Sequence, residues 1–225
     1  MNKLVLFDID GILVSSITTG ATTRIFQKFF GLENHPPMDM EGVTQRKILF
    51  ECLKNSGIKN PENDPRFEEA LAYYATAFKE SFAKNPKNVI PNVELFVKKL
   101  LGKGVTIGLL TGNTPSAAQV KLESVGLWKY FKFGAFGDKI MDRNKLVPVA
   151  IQAAKKETGI EFKKENTFVI GDTPKDIECA KAGKVRSIAI ATGKYSLDEL
   201  KKESPTYVFK DFSDTKAIMG VIIKD

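Results

Sequence analysis

Four aspartates and one threonine carry the chemistry this chain can do. Asp8 and Asp10 stand two residues apart directly after a short apolar run, Lys3 to Phe7, with Gly11 behind them. Two carboxylates so close repel one another, and a cation or a strong polar partner must offset that cost. Asp172 and Asp176 repeat the pattern after a second apolar run, Thr167–Ile170, in Gly171-Asp172-Thr173-Pro174-Lys175-Asp176. After a third, Val105–Leu110, comes Thr111-Gly112-Asn113-Thr114-Pro115. A hydroxyl, a glycine and free N–H groups ahead of a helix form an anion cradle. Helix capping alone accounts for Thr114 and Pro115 but leaves Thr111 and Gly112 unexplained. Asp172 can equally serve as a helix cap and Asp176 as a first-turn acid favoured by the helix dipole. Taken together, hard oxygen donors without His or Cys suit Mg²⁺. Carboxylates, metal and phosphate cradle point to phosphoryl transfer.

These residues must be brought together by the elements that precede them. Leu4–Phe7, Val105–Leu110, Phe133–Phe136, Thr167–Ile170, Ser187–Ile190 and Thr206–Phe209 read as buried strands. Asn92–Leu101, Pro115–Ser124, Leu146–Thr158, Lys175–Ala182 and Phe212–Ile222 read as the helices between and after them. Alternating strands and helices predict a Rossmann-like three-layer α/β/α core with a parallel sheet, whose ligands bind at the carboxyl ends of the strands. From about Thr18 to Ala83 the alternation stops. Apolar stripes at helical spacing (Ile25, Phe26, Phe29, Phe30; Ile48, Leu49, Cys52, Leu53; Phe67, Leu71, Tyr74, Phe78, Phe82) predict a helical cap inserted after the first strand. The division expected is residues 1–15 and 88–225 for the core and 16–87 for the cap.

Other chemistries are disfavoured. The single histidine, His35, lies beside Pro36 and Pro37 and reads as a surface loop residue, against a Ser-His-Asp site or an HExxH zinc site. No GxGxxG or P-loop pattern occurs. An EF-hand register around Gly11 would put Leu6 and Ile17 at ligand positions, so it fails. Cys52 and Cys179 are the only cysteines and lie far apart, which suggests neither a disulfide framework nor a CxxC metal site. The net charge of +7 is spread over helices without the aromatic interleaving of a nucleic-acid module, so it reads as a basic surface that attracts small anions. With no membrane-length apolar run and no signal-peptide layout, the expectation is a cytoplasmic protein, monomer or homodimer, acting on a small phosphorylated metabolite without nucleic-acid or membrane partners.

Phe7-Asp8-Ile9-Asp10-Gly11-Ile12-Leu13 resembles the first motif of the haloacid dehalogenase superfamily. Leu109-Leu110-Thr111-Gly112-Asn113 is similar to its second, and Gly171 to Asp176, running on to Gly183, to its fourth. Their order and the position of the insert match a C1-capped member over essentially the whole chain. The resemblance implies roles. Asp8 would be the nucleophile forming an aspartyl-phosphate, and Asp10 the general acid and then base, with its backbone carbonyl on the metal. Thr111, Gly112 and Asn113 would hold the phosphoryl oxygens. Asp172 would ligate Mg²⁺ beside Asp8, with Asp176 in support. The third-motif cation is either Arg143, favoured by the Asp142-Arg143-Asn144 wording, or Lys145, favoured by its distance from the following helix. Ile12 replaces a common threonine at a variable position.

Within the superfamily, retention of Asp10 and the metal set disfavours a dehalogenase. Nothing marks Lys28 or Lys47 as the Schiff-base lysine of a phosphonatase. Glu41-Gly42-Val43-Thr44 resembles the substrate loop of β-phosphoglucomutase, yet Gln45 falls at its phosphate-binding arginine and Arg46 comes one later. That leaves Arg46 as a candidate substrate contact or a helix-surface charge. The segment from Ala191 to Leu200, with Asp142-Arg143-Asn144, is most similar to phosphoglycolate phosphatase-like members. The function expected is a Mg²⁺-dependent phosphatase of small phosphomonoesters. The alternatives are a β-phosphoglucomutase-like phosphotransferase, or a non-catalytic regulator on the same fold.

Overall fold

The computed structural model describes residues 2–15, 20–84 and 88–224. The start of the helical insert at Thr18 and both crossings between core and insert, at 16–19 and 85–87, lie outside the described residues. Six strands make one parallel sheet: β1 (Leu4–Phe7), β2 (Thr106–Leu110), β3 (Gly134–Ala135), β4 (Thr167–Gly171), β5 (Arg186–Ile190) and β6 (Tyr207–Phe209). Their spatial order is β3-β2-β1-β4-β5-β6. The first strand is therefore central, flanked by β2 and β4. Phe7 is level with Leu109 on one side and Ile170 on the other. That register brings the ends of β1, β2 and β4 side by side, and with them the three sequence motifs.

β1 is buried at all four positions because both faces of the sheet are covered. Val5 and Phe7 join a cluster with Phe96 and Val97 of α5 (Val93–Gly102), Leu122 of α6 (Pro115–Glu123) and Ile218 and Ile222 of α10 (Thr215–Ile223). Leu4 and Leu6 join the opposite one, with Val147 and Ala150 of α7 (Leu146–Thr158) and Cys179 and Ala180 of α8 (Pro174–Gly183). The alternation along one strand thus fastens helices to both faces. The short α9 (Leu197–Lys202) covers the far edge through Leu200.

Two elements differ from the sequence expectation. β3 is two residues long rather than four. The last helix begins at Thr215, capped by Asp214 accepting from the Ala217 N–H at 2.9 Å, rather than at Phe212. Phe212 is instead a fully buried core residue, its ring tilted against that of Phe96 at 5.4 Å between centroids. Its apolar character gave a helical reading where it serves packing.

The insert forms α1 (Ala21–Ile25), which widens into a π-turn over Phe26–Phe30, then α2 (Gln45–Asn55), α3 (Phe67–Ala72) and α4 (Tyr74–Lys84). Its apolar stripes close on each other in a cluster of their own that includes Phe26, Leu49, Leu53, Phe67, Leu71, Tyr74 and Phe78. Ala117 and Val120 of α6 join the same cluster, so α4 rests on α6. That contact is the main packing between insert and core and forms one wall of the site. Among the described residues no helix is long and apolar enough to cross a membrane.

Candidate active site

The loop after β1 is fixed before any ligand arrives. Ile9, Ile12, Leu13 and Val14 are all fully buried, and the Ile9 carbonyl accepts from the Leu13 and Val14 N–H groups. Gly11 turns the chain at φ +76 and donates to Val14 O at 2.8 Å. Thr192 holds the Gly11 carbonyl at 2.6 Å. Asp8 donates its own N–H to Ile170 O at 2.9 Å, tying it to β4.

Asp8 points into a buried ion cluster. Its Oδ2 lies 3.1 Å from Arg143 Nη2, with side chains 7% and 6% exposed. Arg143 Nη2 also meets Asp176 Oδ1 at 2.5 Å. The Asp176 Oδ2 accepts from the Thr173 N–H (3.1 Å) and hydroxyl (2.7 Å). The Thr173 Oγ1 in turn accepts from the Asp176 N–H, a reciprocal cap at the start of α8. The cap of α8 is therefore Thr173, and Asp172 is left for other work. Both oxygens of Asp176 are engaged, so it locks Arg143 and the helix start in one frame.

The electrostatics follow from burial. Burial raises the Asp8 carboxyl to about 7; Arg143 opposes the rise, and Asp176 and Asp10 add to it. Burial likewise pushes Asp172 well above the ordinary carboxylate range, with Asp176 and Asp8 reinforcing it. Burial works against the Arg143 charge, but Asp176 and Asp8 outweigh it and hold the guanidinium protonated.

Asp172 bears most directly on which group the site can hold. Its Oδ1 is buried without a hydrogen-bond partner, an arrangement that costs on the order of 1–3 kcal/mol, more for a charge. Asp8, Asp172 and Asp176 each place an oxygen within 4.8 Å of the others. Room for the Asp172 carboxylate exists only because two neighbours lack side chains. A Cβ on Gly11 would stand 2.2 Å, and one on Gly193 1.6 Å, from its Oδ2. An orphaned buried oxygen, an all-oxygen donor set and raised carboxyls fit a hard divalent cation such as Mg²⁺.

Opposite this cluster stands the cradle. Thr111 is fully buried at the end of β2 and donates its N–H to Ala135 O at 3.0 Å. Its Oγ1 accepts from the Asn113 side-chain Nδ2 at 2.8 Å. The same Nδ2 donates to Asp10 Oδ2 at 3.0 Å. Thr111, Gly112, Asn113, Asp8, Asp10 and Arg143 all line one cavity of about 220 Å³ between core and insert.

Two sequence candidates, Lys145 and Arg46, fall outside the cavity, and one residue read as surface lies in it. Lys145 is exposed and absent from the cavity, whereas Arg143 two residues earlier is buried in it. Residues 143–145 form one 3₁₀ turn, and at about three residues per turn a two-residue step points the side chain in another direction. Arg46 does not line the cavity either. It pairs with Glu62 (3.1 Å) and Glu68 (2.5 Å), donates to Asp138 O at 2.7 Å and lies over the Phe67 ring. His35, read as a surface residue, is half-buried, edge-on to Phe26, and lines the cavity.

Two residues that sequence reasoning missed take their place. Gln45, the first residue of α2 after its cap Thr44, is buried. It donates from its N–H to Gly112 O (2.7 Å) and from Nε2 to Asn113 Oδ1 (3.3 Å), and accepts at Oε1 from the Thr114 N–H (2.7 Å). Its place after an N-cap threonine was the available signal. Lys121, on α6, reaches Asp10 Oδ2 at 2.6 Å with its side chain 5% exposed. No sequence pattern set it apart from the other helix lysines.

A β1–β2–β4 motif set under a helical insert defines a class, and the profile of the haloacid dehalogenase-like hydrolases matches residues 5–190. The chain belongs to that family and is a hydrolase of it. Among curated relatives it is similar to phosphoglycolate phosphatase 1 of Pseudomonas aeruginosa, with 30% identity over 94% of this chain and 78% of the relative. It is also similar to the phosphoglycolate phosphatase of Rhodospirillum rubrum, with 25% identity over 98% of this chain and 92% of the relative. A hydrolase from Pseudomonas syringae shares the fold with a TM-score of 0.72 and 19% identity, covering 99% of both chains. The β-phosphoglucomutase of Clostridium difficile shares it at 0.71 and 19%, covering 100% of this chain and 98% of that one.

Proposed function

We propose that this protein is a Mg²⁺-dependent phosphatase of small phosphomonoesters, phosphoglycolate-like esters among them, acting through an aspartyl-phosphate on Asp8. The observation that carries the reading is the placement of Asp8 between a buried guanidinium and an orphaned Asp172 oxygen, facing the Thr111–Asn113 cradle across one cavity. At about 220 Å³ the cavity is smaller than the roughly 300–1,000 Å³ of sites for drug-sized ligands, which suits a small metabolite.

Asp8, Asp172 and the Asp10 carbonyl would hold Mg²⁺, with Asp176 supporting from behind. When bound, the ion screens the repulsion between the Asp8 carboxylate and the dianionic phosphoryl group. Thr111 and the N–H groups of Gly112 and Asn113 orient the phosphoryl oxygens, and Arg143 neutralises charge on the Asp8 side. The Asp8 oxygen attacks phosphorus as the P–O bond to the alcohol breaks, and Asp10 supplies the proton that the departing oxygen takes. Asp10 then accepts a proton from water as the water oxygen attacks phosphorus and the bond from phosphorus to Asp8 breaks, regenerating the Asp8 carboxylate and releasing phosphate. Gln45 and Asn113 connect the insert to the Asp10 carboxylate, so seating of the insert also shields the intermediate from stray water.

A mutase must grip a second phosphate from the insert. Arg46, the cation nearest that position in sequence, is spent on Glu62 and Glu68, which favours hydrolysis. The test is phosphate release from p-nitrophenyl phosphate and a broad panel of phosphomonoesters with Mg²⁺, comparing wild type with Asp8→Asn. Wild-type turnover abolished by the substitution supports the proposal. Equal inertness of both overturns it, and conversion of glucose 1-phosphate to glucose 6-phosphate without free phosphate would replace it by the mutase reading.

A further inference from the structure

Lys121 is in the wrong place for a helix-surface lysine. Its neighbours on the inner face of α6 are Ala117, Ala118 and Leu122, all fully buried. A four-carbon stem could carry the ammonium out to water. Instead it turns inward, lies 4.2 Å from the centre of the Phe78 ring on α4, and meets Asp10 Oδ2 at 2.6 Å. Dehydrating an ammonium costs several kcal/mol, and Asp10, 29% exposed, is a modest counter-charge. An ammonium has three protons to donate. Asp10 takes one, and the ring covers one side, leaving donor capacity directed at the cavity that Lys121 lines.

Its position relative to the reaction is informative. In the proposed mechanism, on which this inference rests, the departing oxygen sits against Asp10. Whatever is bonded to that oxygen then lies within reach of Lys121. No other lysine or arginine lines this half of the cavity among the described residues. Its groups are Thr22, whose hydroxyl is 3.2 Å from that of Tyr74; His35; Met40; Phe78; and Glu41. Burial first, then Asp10 and Asp39, raise the Glu41 carboxyl above its usual range, and Lys194 and Lys121 oppose the rise. Arg143 is committed to Asp8 and Asp176 on the far side.

We infer that Lys121 is a specificity-determining residue that reads charge on the leaving group: it selects phosphomonoesters whose alcohol carries a carboxylate close to the ester oxygen. Thr22 and Tyr74 share one hydroxyl–hydroxyl hydrogen bond, so one proton of the pair is left for the same carboxylate. The competing account is that Lys121 only holds Asp10 in place, in which case esters of every kind suffer equally when it is lost.

The experiment compares 2-phosphoglycolate with 2-hydroxyethyl phosphate, which differ only in carboxylate against neutral hydroxymethyl, in the Mg²⁺-loaded protein. The wild-type kcat/KM ratio should favour the carboxylate ester by roughly tenfold or more, the scale of one charge-assisted hydrogen bond. Lys121→Met and Lys121→Gln should bring the ratio to within about threefold of unity, and Lys121→Arg should restore most of it. A wild-type ratio at or below one overturns the inference while leaving the phosphatase reading intact. So does a ratio that Lys121→Met leaves unchanged as both rates fall together. Binding gives a readout independent of turnover. By calorimetry, Asp8→Asn should bind 2-phosphoglycolate at least tenfold more tightly than Asp8→Asn combined with Lys121→Met or Lys121→Gln; equal affinities, or none, overturn the assignment of Lys121 even if wild type hydrolyses other esters.

Discussion

The buried carboxylates predict that the metal-free protein loses stability as pH rises through neutrality, the reverse of ordinary acid denaturation. Asp8 ionises near 3.8 when exposed and near 7 in the folded chain. Between those values the folded state binds a proton that the unfolded state has released. Stability changes with pH as the protons bound unfolded minus those bound folded, so here the slope is negative. The contribution is fully present below about pH 4 and is lost as pH passes about 7. At 1.36 kcal/mol per pH unit the loss is on the order of 4 kcal/mol, and Asp172, raised by the same burial, acts in the same direction. Other carboxylates titrate too, so the comparison is with Asp8→Asn, which cannot ionise. Urea unfolding in chelator at intervals from pH 5 to 8 should show wild type falling progressively behind the variant. Saturating Mg²⁺ should reverse the trend, since an ion that binds only the folded state adds about 2.7 kcal/mol at a hundred times its Kd and favours the ionised carboxylates. A wild-type-minus-variant difference that stays flat from pH 5 to 8 in chelator would show that burial does not outweigh Arg143 in raising the Asp8 carboxyl, and the electrostatic case for the metal site would fall with it.

Two further outcomes follow from the same geometry. Arg143→Met leaves Asp8 and Asp176 buried without their shared cation, and loss of one partner of a buried pair costs about 3–5 kcal/mol; Lys145→Ala, on the exposed side of the same turn, should stay within about 0.5 kcal/mol and within about twofold in phosphate release. Denaturation midpoints and initial rates check both, and the reverse ranking would refute the placement of Arg143. Gly193→Ala puts a methyl group where the Asp172 carboxylate lies, so the Mg²⁺-induced rise in melting temperature should need at least tenfold more metal, for a stability loss of about 1–3 kcal/mol; an unchanged Mg²⁺ titration would refute the close packing of Gly193 on Asp172.

What the sequence discloses and what it hides divide along one physical line. The strand-end residues Asp8, Thr111 and Asp172 are legible because each follows a short apolar run, and parallel strands place the ends of such runs on one edge. Their adjacency needs only the strand order, with β1 between β2 and β4. Choices between near neighbours depend instead on local turn geometry, to which composition is blind. Arg143 and Lys145 differ by two residues in a 3₁₀ turn, and only one can face Asp8. Gln45 and Arg46 differ by one residue at the start of α2; the neutral side chain enters the site, while the charged one turns to Glu62 and Glu68. Charge was the wrong guide there, because a buried polar contact to Asn113 and the Thr114 N–H needs an amide that both donates and accepts. Lys121 lay beyond reach for a third reason. Its environment is made by Phe78 of α4 and Asp10 after β1, which are far from it in sequence and converge only when the insert packs on α6. Asp8, Thr111 and Asp172 lie at the sheet edge, where the apolar runs before them place them; the roles proposed for them come from the motif resemblance. Lys121 lies at the seam between sheet and insert, where helix registers decide which lysine lines the cavity.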